Sequence, residues 1–166
     1  MVPDCLNELQ VKVLETARRL HPDWEIKIWT DADRLEFINQ VKNETFGTYY
    51  NRALTGAQKA DIARLWIVWH EGGVYLDSDI ILSKSLDPLL LVSGKVVLCS
   101  EDGYNCSNAF FASPPKHPGI WAAIEYLNSN EPDWNLPPYQ TTGPKLFSRI
   151  FRYRTDIYCL PRESFY

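Results

Sequence analysis

The chain has 166 residues, 45% hydrophobic, 23% charged and 13% aromatic, a balance that suits one globular domain with a real core. Its formal net charge of −4 argues against a polyanionic partner, because nucleic-acid binding needs a basic face. No apolar run reaches the ~18 residues of a transmembrane helix, and "MVPDCLNELQ" lacks the basic-then-apolar pattern of a signal peptide. The expectation is therefore a cytoplasmic chain without a membrane span.

In chain order, Asp4 is a candidate cap for a helix running to about Leu20, with Leu6, Leu9, Val13 and Leu14 on one face. "WEIKIW" alternates apolar and polar residues and predicts a strand from Trp24 to Trp29. Thr30 or Asp31 starts a second helix, "DADRLEFINQV". Residues 42–56 are polar and rich in turn formers, which predicts a loop. Ile62, Leu65, Trp66 and Trp69 recur at helical spacing from Ala57 to Glu71, and Gly72-Gly73 ends that helix.

"VYL" then reads as a short strand, with "IIL" continuing it beyond Asp77-Ser78-Asp79. "KVVLCS" and "NAFFAS" predict two further strands, "PGIWAAIEYLNSN" and "PKLFSRIFRY" two helices, and "DIYCL" a last strand. Helices alternating with strands predict an α/β layer with a mostly parallel sheet flanked by helices. In such sheets ligands sit at the carboxyl ends of strands, where the acidic triplet falls.

The four cysteines show no CxxC spacing and the three histidines form no HExxH or HxH pair, so reduced buried thiols are expected and a histidine zinc site is not. The acidic triplet needs another explanation. Two carboxylates one residue apart repel, and an extended backbone would point Asp77 and Asp79 to the same face. Mg²⁺ or Mn²⁺ is commonly held by one or two carboxylates plus substrate phosphates. Upstream, Asp61 and Arg64 share a helical face, either as a surface salt bridge or as a pair aimed at a ligand's hydroxyls.

Together, "GAQKADIARLWIVWHEGGVYLDSDIIL" resembles the sugar-binding region of DXD-containing glycosyltransferases with the GT-A fold. That family includes yeast-type α-mannosyltransferases, bacterial capsule and lipooligosaccharide transferases and viral members. Its pattern is Ala-x-x-x-Asp-x-x-Arg on a helix, then Gly-Gly-x-Tyr-x-Asp-x-Asp. The chain matches at Ala57, Asp61, Arg64, Gly72, Gly73, Tyr75, Asp77 and Asp79. A composite at fixed spacing over about 25 residues is far more specific than D-x-D alone. "PDWEIKIWTD", "SNAFFASPPKHP" and "TTGPKLF" are similar to further family segments.

The resemblance implies a Rossmann-like GT-A sheet, a UDP- or GDP-sugar donor, a glycan acceptor and Mn²⁺ or Mg²⁺. It implies that Asp61 and Arg64 contact donor-sugar hydroxyls and that Tyr75 shapes the sugar pocket. Asp77 would contact the ribose or sugar and share the metal, which Asp79 ligates together with the donor diphosphate. Asn108 would lie near the transferred sugar, and Gly143 would expose backbone amides near the acceptor. Relatives transfer with retention, through a carboxylate nucleophile or a same-face ion pair. Asp102, beside Glu101, is the catalytic carboxylate candidate, against a plain reading as a solvated loop.

The family's opening strand, of the form Ile-Pro-Lys-x-Ile-His-Gln-x-Trp, is not found before Val2-Pro3, and the sequence stops at Phe165-Tyr166. The expectation is one catalytic domain over residues 1–166, trimmed at both ends relative to the family. Two rival readings stand beside it. One is a non-catalytic domain that binds sugar nucleotide or a partner. The other is a haloacid-dehalogenase-like phosphatase with Asp77 as nucleophile, although the later Lys and Gly-Asp-x-x-x-Asp pair of that class are missing from the sequence.

Overall fold

The computed structural model describes residues 6–91, 94–100 and 105–164. The described residues fall into two compact units, one within Met1–Ile28 and Leu76–Ser93, the other within Trp29–Tyr75 and Gly94–Tyr166.

The first unit carries helix α1, Glu8–Leu20. Asn7 caps it: its side chain accepts from the Gln10 amide while Gln10 bonds back to the Asn7 amide, a reciprocal capping box. The predicted cap, Asp4, lies outside the described residues. Residues 24–30 form no strand; alternation makes a strand only where a neighbouring backbone supplies a ladder. The "IIL" stretch likewise joins no ladder, and a 3-10 turn follows at Asp87–Leu91.

In the second unit, α2 (Asp31–Val41) starts at a Thr30/Asp33 capping box, and the Thr30 hydroxyl holds the Asp33 carboxyl below the usual range. The loop expected over 42–56 is largely helix α3, Glu44–Arg52. Phe46 and Tyr50, four apart and both buried, give it an apolar stripe that its polar composition conceals. Helix α4, Gly56–Glu71, is buried almost all round, from Gln58 through Asp61 to Val68. Packing on nearly every side suits its mostly apolar surface, and the buried Gln58, Asp61 and Arg64 are the polar exceptions. Trp66 stacks on Phe46 with centroids 4.8 Å apart.

Gly72 ends α4 with φ +73° and ψ −160°, a region open in practice only to glycine. A Cβ there would sit 2.7 Å from the Pro115 ring. Gly72→Ala is therefore expected to destabilise the fold by at least about 1–3 kcal/mol, read as a lower urea midpoint with an unchanged slope.

The sheet runs β1-β3-β2-β4, with β1 at Gly73–Leu76, β2 at Val96–Ser100, β3 at Cys106–Ser113 and β4 at Ile157–Leu160. β2 pairs antiparallel with β3 and parallel with β4. The sheet is mixed, which corrects the mostly parallel expectation: β2 and β3 are joined by too short a segment for a helical crossover. Helices α5 (Pro118–Ser129), α6 (Pro138–Thr141) and α7 (Pro144–Phe151) complete the unit. The core of this unit joins Leu65 and Trp66 to Leu98, Phe111, Ile120, Phe147 and Phe151.

One irregularity positions the site. Leu98 of β2 faces Phe111, but the next residue, Cys99, faces Ser107. Asn108, Ala109 and Phe110 thus fall outside the pairing with β2. Bulges of this kind re-aim side chains next to functional sites.

Candidate functional site

The bulge turns Asn108 toward α4. Its side-chain amide donates to Asp61 Oδ1 at 2.7 Å, and its backbone carbonyl accepts from an Arg64 guanidinium nitrogen at 2.6 Å. Arg64 and Asp61, one helical turn apart, pair at 3.0 Å. The other carboxylate oxygen, Oδ2, accepts from the Thr142 hydroxyl at 2.8 Å. Asp61 and Arg64 are each only 5% exposed, so the surface salt-bridge alternative does not hold. This is a buried ion pair, tolerable because each charge is both paired and hydrogen-bonded.

Two more predicted residues join this constellation. The Tyr75 ring lies 4.6 Å from the Arg64 guanidinium carbon and stacks on Phe111. Gly143 precedes α7, where a Cβ would meet the Pro138 carbonyl and Tyr139 Cα at 3.1 Å and Asp61 Oδ2 at 3.4 Å. Glycine there lets the chain pass close to the carboxylate. Asp61, Arg64, Tyr75, Asn108 and Gly143 are thus gathered in one place. Sequence reasoning missed Thr142 as the second anchor of Asp61; the signal was its place in "TTGPKLF", immediately before the glycine.

Asp77 and Asp79 belong to the other unit. They do not lie on an extended segment with their side chains to one face. The Ile80 amide donates to the Asp77 carbonyl at 3.2 Å, closing a turn over residues 77–80 that replaces the period-two alternation. Asp77 is half-buried and Asp79 exposed. Within the same unit, Gln10 of α1 donates to Ser78 Oγ at 3.2 Å. The buried His21 accepts the Leu86 amide at 2.8 Å, holding the downstream chain to α1.

Among the described residues no group of three or more His, Cys, Asp or Glu could enclose a metal. Two carboxylates in an exposed turn instead fit a hard cation that keeps waters and takes its remaining oxygens from phosphates. Asp102 and Glu101 lie outside the described residues.

The thiols belong to other surroundings. Cys99 and Cys106 are buried and free while Cys159 is exposed, so among the described cysteines the expectation of buried thiols holds for the first two; Cys5 lies outside the described residues. Burial pushes Cys99 up to about 11 and Cys106 up to about 12, which keeps both protonated and poor nucleophiles. Cys106 and Cys159 line a cavity of 360 Å³ with Arg152 and Arg154, and none of the predicted site residues among those described borders it. No helix among the described residues is long and apolar enough to cross a membrane.

Comparison with known proteins bears on the family. Residues 7–93 match the family described as glycosyltransferase sugar-binding region containing DXD motif. The chain is 37% identical over 118 residues to inositol phosphoceramide mannosyltransferase 1 of Schizosaccharomyces pombe, a match spanning 69% of this chain and 36% of that protein. It is 33% identical over 155 residues to mannosyl phosphorylinositol ceramide synthase SUR1 of Saccharomyces cerevisiae, spanning 91% and 38%. Human alpha-1,4-N-acetylglucosaminyltransferase is 28% identical over 172 residues, spanning 84% and 48%. The chain therefore covers less than half the length of these relatives.

In fold it is similar to the PaToxG glycosyltransferase, with TM-score 0.70 at 19% identity over 87% of this chain and 62% of that one. The family match takes in α4, the Gly72-Gly73 stop and the acidic turn together, and the chain belongs to the family of glycosyltransferase sugar-binding regions containing the DXD motif.

Proposed function

We propose that this chain binds a nucleoside-diphosphate hexose through a divalent cation and transfers the hexose, with retention, to a hydroxyl of a glycan or of a lipid headgroup. The carrying observation is the Asp61 carboxylate, buried yet oriented by Arg64, Asn108 and Thr142. A carboxylate held by three donors before ligand arrives is preorganised to receive sugar hydroxyls. Tyr75 supplies an aromatic wall on the Arg64 side and Asn108 a polar group toward the transferred sugar. Asp79, with Asp77, would hold Mn²⁺ or Mg²⁺, which supplies positive charge against the departing diphosphate. The mannosyl and ceramide terms in the names of the yeast relatives favour mannose as the hexose and a phosphoinositol-bearing lipid as acceptor.

The test is a thermal-shift panel of UDP- and GDP-hexoses with and without Mn²⁺. A ligand at 100 times its Kd adds about 2.7 kcal/mol, which for a chain of this size raises Tm by roughly 5–10 °C. The expected result is such a shift for at least one donor, GDP-mannose first, only when Mn²⁺ is present. A panel without any metal-dependent shift or donor hydrolysis overturns the reading.

A further inference from the structure

The cavity of 360 Å³ that Cys106 and Cys159 border with Arg152 and Arg154 stands apart from Asp61 and its partners. Its volume lies within the span of small-molecule pockets, about 300–1,000 Å³. The strand order explains its lining. β2 lies between β3 and β4, with Cys106 opposite Ser100 on one side and Cys159 opposite Leu98 on the other. Residues 98 and 100 share a face of β2, so both thiols reach one face of the sheet. Phe151, at the end of α7, and Ile157 supply apolar walls.

The two thiols differ in what they can do. Burial first and Cys159 second push the buried Cys106 up to about 12, against the pull of the Arg152 charge. Cys106 therefore stays protonated, hydrogen-bonded to Cys159. Cys159 is exposed, and its thiol donates to the Leu160 carbonyl over a long 3.7 Å. Reactive thiols sit in partly exposed, electropositive surroundings. Here two guanidiniums line the cavity and no described carboxylate does. Arg154 pairs side-on with Asp156 through Nε and Nη2, at 2.9 and 2.7 Å, which leaves Nη1 outside that pair.

We propose that Cys159 is a modification site for small disulfides that carry carboxylates, glutathione disulfide being the type, with Arg152 and Arg154 receiving the carboxylates. The Cys159 thiol gives its proton to solvent, and its sulfur attacks one sulfur of the bound disulfide. The ligand's S–S bond breaks and a new one joins Cys159 to one half. The other half leaves as a thiolate and takes up a proton. Cys159 is oxidised as the leaving thiol is reduced, so no further oxidant is needed. The adduct persists because Cys106 cannot displace it. Strands on either side of β2 stand roughly 9–10 Å apart, beyond the ~7 Å at which two cysteine Cα atoms can be bridged.

The test uses the Cys5→Ser chain, so that the reacting thiols are the three described ones. Glutathione disulfide is compared with the neutral bis(2-hydroxyethyl) disulfide by intact mass and peptide mapping. Each rate is divided by that of the same disulfide with N-acetylcysteinamide, a neutral free thiol. One glutathionyl group on Cys159 is expected, formed about tenfold faster on this scale than the neutral adduct. Cys99 and Cys106 should stay unmodified until urea is added. Arg152→Gln, at an exposed position, should cut the preference to about threefold or less, and Arg152→Lys should keep most of it. Raising the ionic strength from about 0.01 to about 1 M should cut it likewise without any substitution.

Modification of Cys159 with these dependences supports the assignment. No adduct at Cys159, an adduct on Cys99 or Cys106 in the folded chain, or equal scaled rates for the two disulfides overturns it. So does a preference unmoved by Arg152→Gln or by salt, or conversion of the adduct to a Cys106–Cys159 disulfide.

Discussion

Replacing Asp61 with alanine is expected to lower the unfolding free energy by about 3–5 kcal/mol, the range for removing one partner of a buried ion pair. The change leaves the Arg64 guanidinium only 5% exposed without its carboxylate. It also strips the acceptor from the Asn108 amide and the Thr142 hydroxyl. Each of those donors then carries its own desolvation penalty. Urea unfolding followed by the fluorescence of the six tryptophans measures the loss.

Two further variants separate charge from packing. Asp61→Asn keeps an acceptor oxygen but not the charge, so it should fall between the wild type and alanine. In Asp61→Ala/Arg64→Met the orphaned charge is gone, and much of the lost stability should return. A loss below about 1 kcal/mol for Asp61→Ala would instead match a solvated surface pair, contrary to the burial described above. Sugar binding should vanish in all three variants. A residue that serves fold and ligand at once is read correctly only when stability and affinity are measured together.

How much of this was legible beforehand varies by element, for physical reasons. Helix α4 and its stop were readable because Gly72 must adopt a backbone conformation that other residues avoid, while Asp61 and Arg64 stand one turn apart. The start of α2 at Thr30 was readable for a similar local reason. Helix α3 was not, because Thr45, Gly47 and Asn51 weaken its propensity and only Phe46 and Tyr50 argue for it. Tertiary burial outweighs propensity there.

The strand predicted at Trp24–Trp29 failed for the opposite reason. Its pattern is correct, but a ladder needs a partner that local sequence cannot supply. The same holds for the sheet, where the antiparallel pairing of β2 with β3 depends on connection length rather than on strand composition. The bulge at Asn108 and the anchor at Thr142 were invisible to spacing alone, since both arise where α4, β3 and the start of α7 converge. Periodicity reports a residue's neighbours along the chain, and this site is made of neighbours across it.

Asp79→Asn should behave as the converse of Asp61→Ala. Asp79 lies exposed in the turn over residues 77–80, so folding stability should stay within about 0.5 kcal/mol of the wild type. The Mn²⁺-dependent shift with donor should vanish. Loss of a supporting residue at a metal site typically costs 10–100-fold in metal affinity, and removing a direct ligand is expected to cost about 100-fold or more. Donor binding measured against Mn²⁺ concentration shows this as a requirement for much higher metal.

Asp77→Asn tests the division of labour, because its half-buried carboxylate is proposed to share the metal while reaching toward ribose or sugar. A smaller loss of metal affinity with a larger loss of donor affinity is expected there. The same pair of variants separates the haloacid-dehalogenase-like chemistry, in which Asp77 would accept a phosphoryl group and form an acyl phosphate. Under that chemistry Asp77→Asn would abolish turnover with metal affinity intact, and mass spectrometry of trapped wild-type protein would show a phosphorylated Asp77. Under sugar transfer no phosphorylated Asp77 forms, and both variants weaken as the cation is titrated down. The repulsion between two acids one residue apart is then what favours a cation in the turn, and neutralising either acid should weaken the metal and donor together.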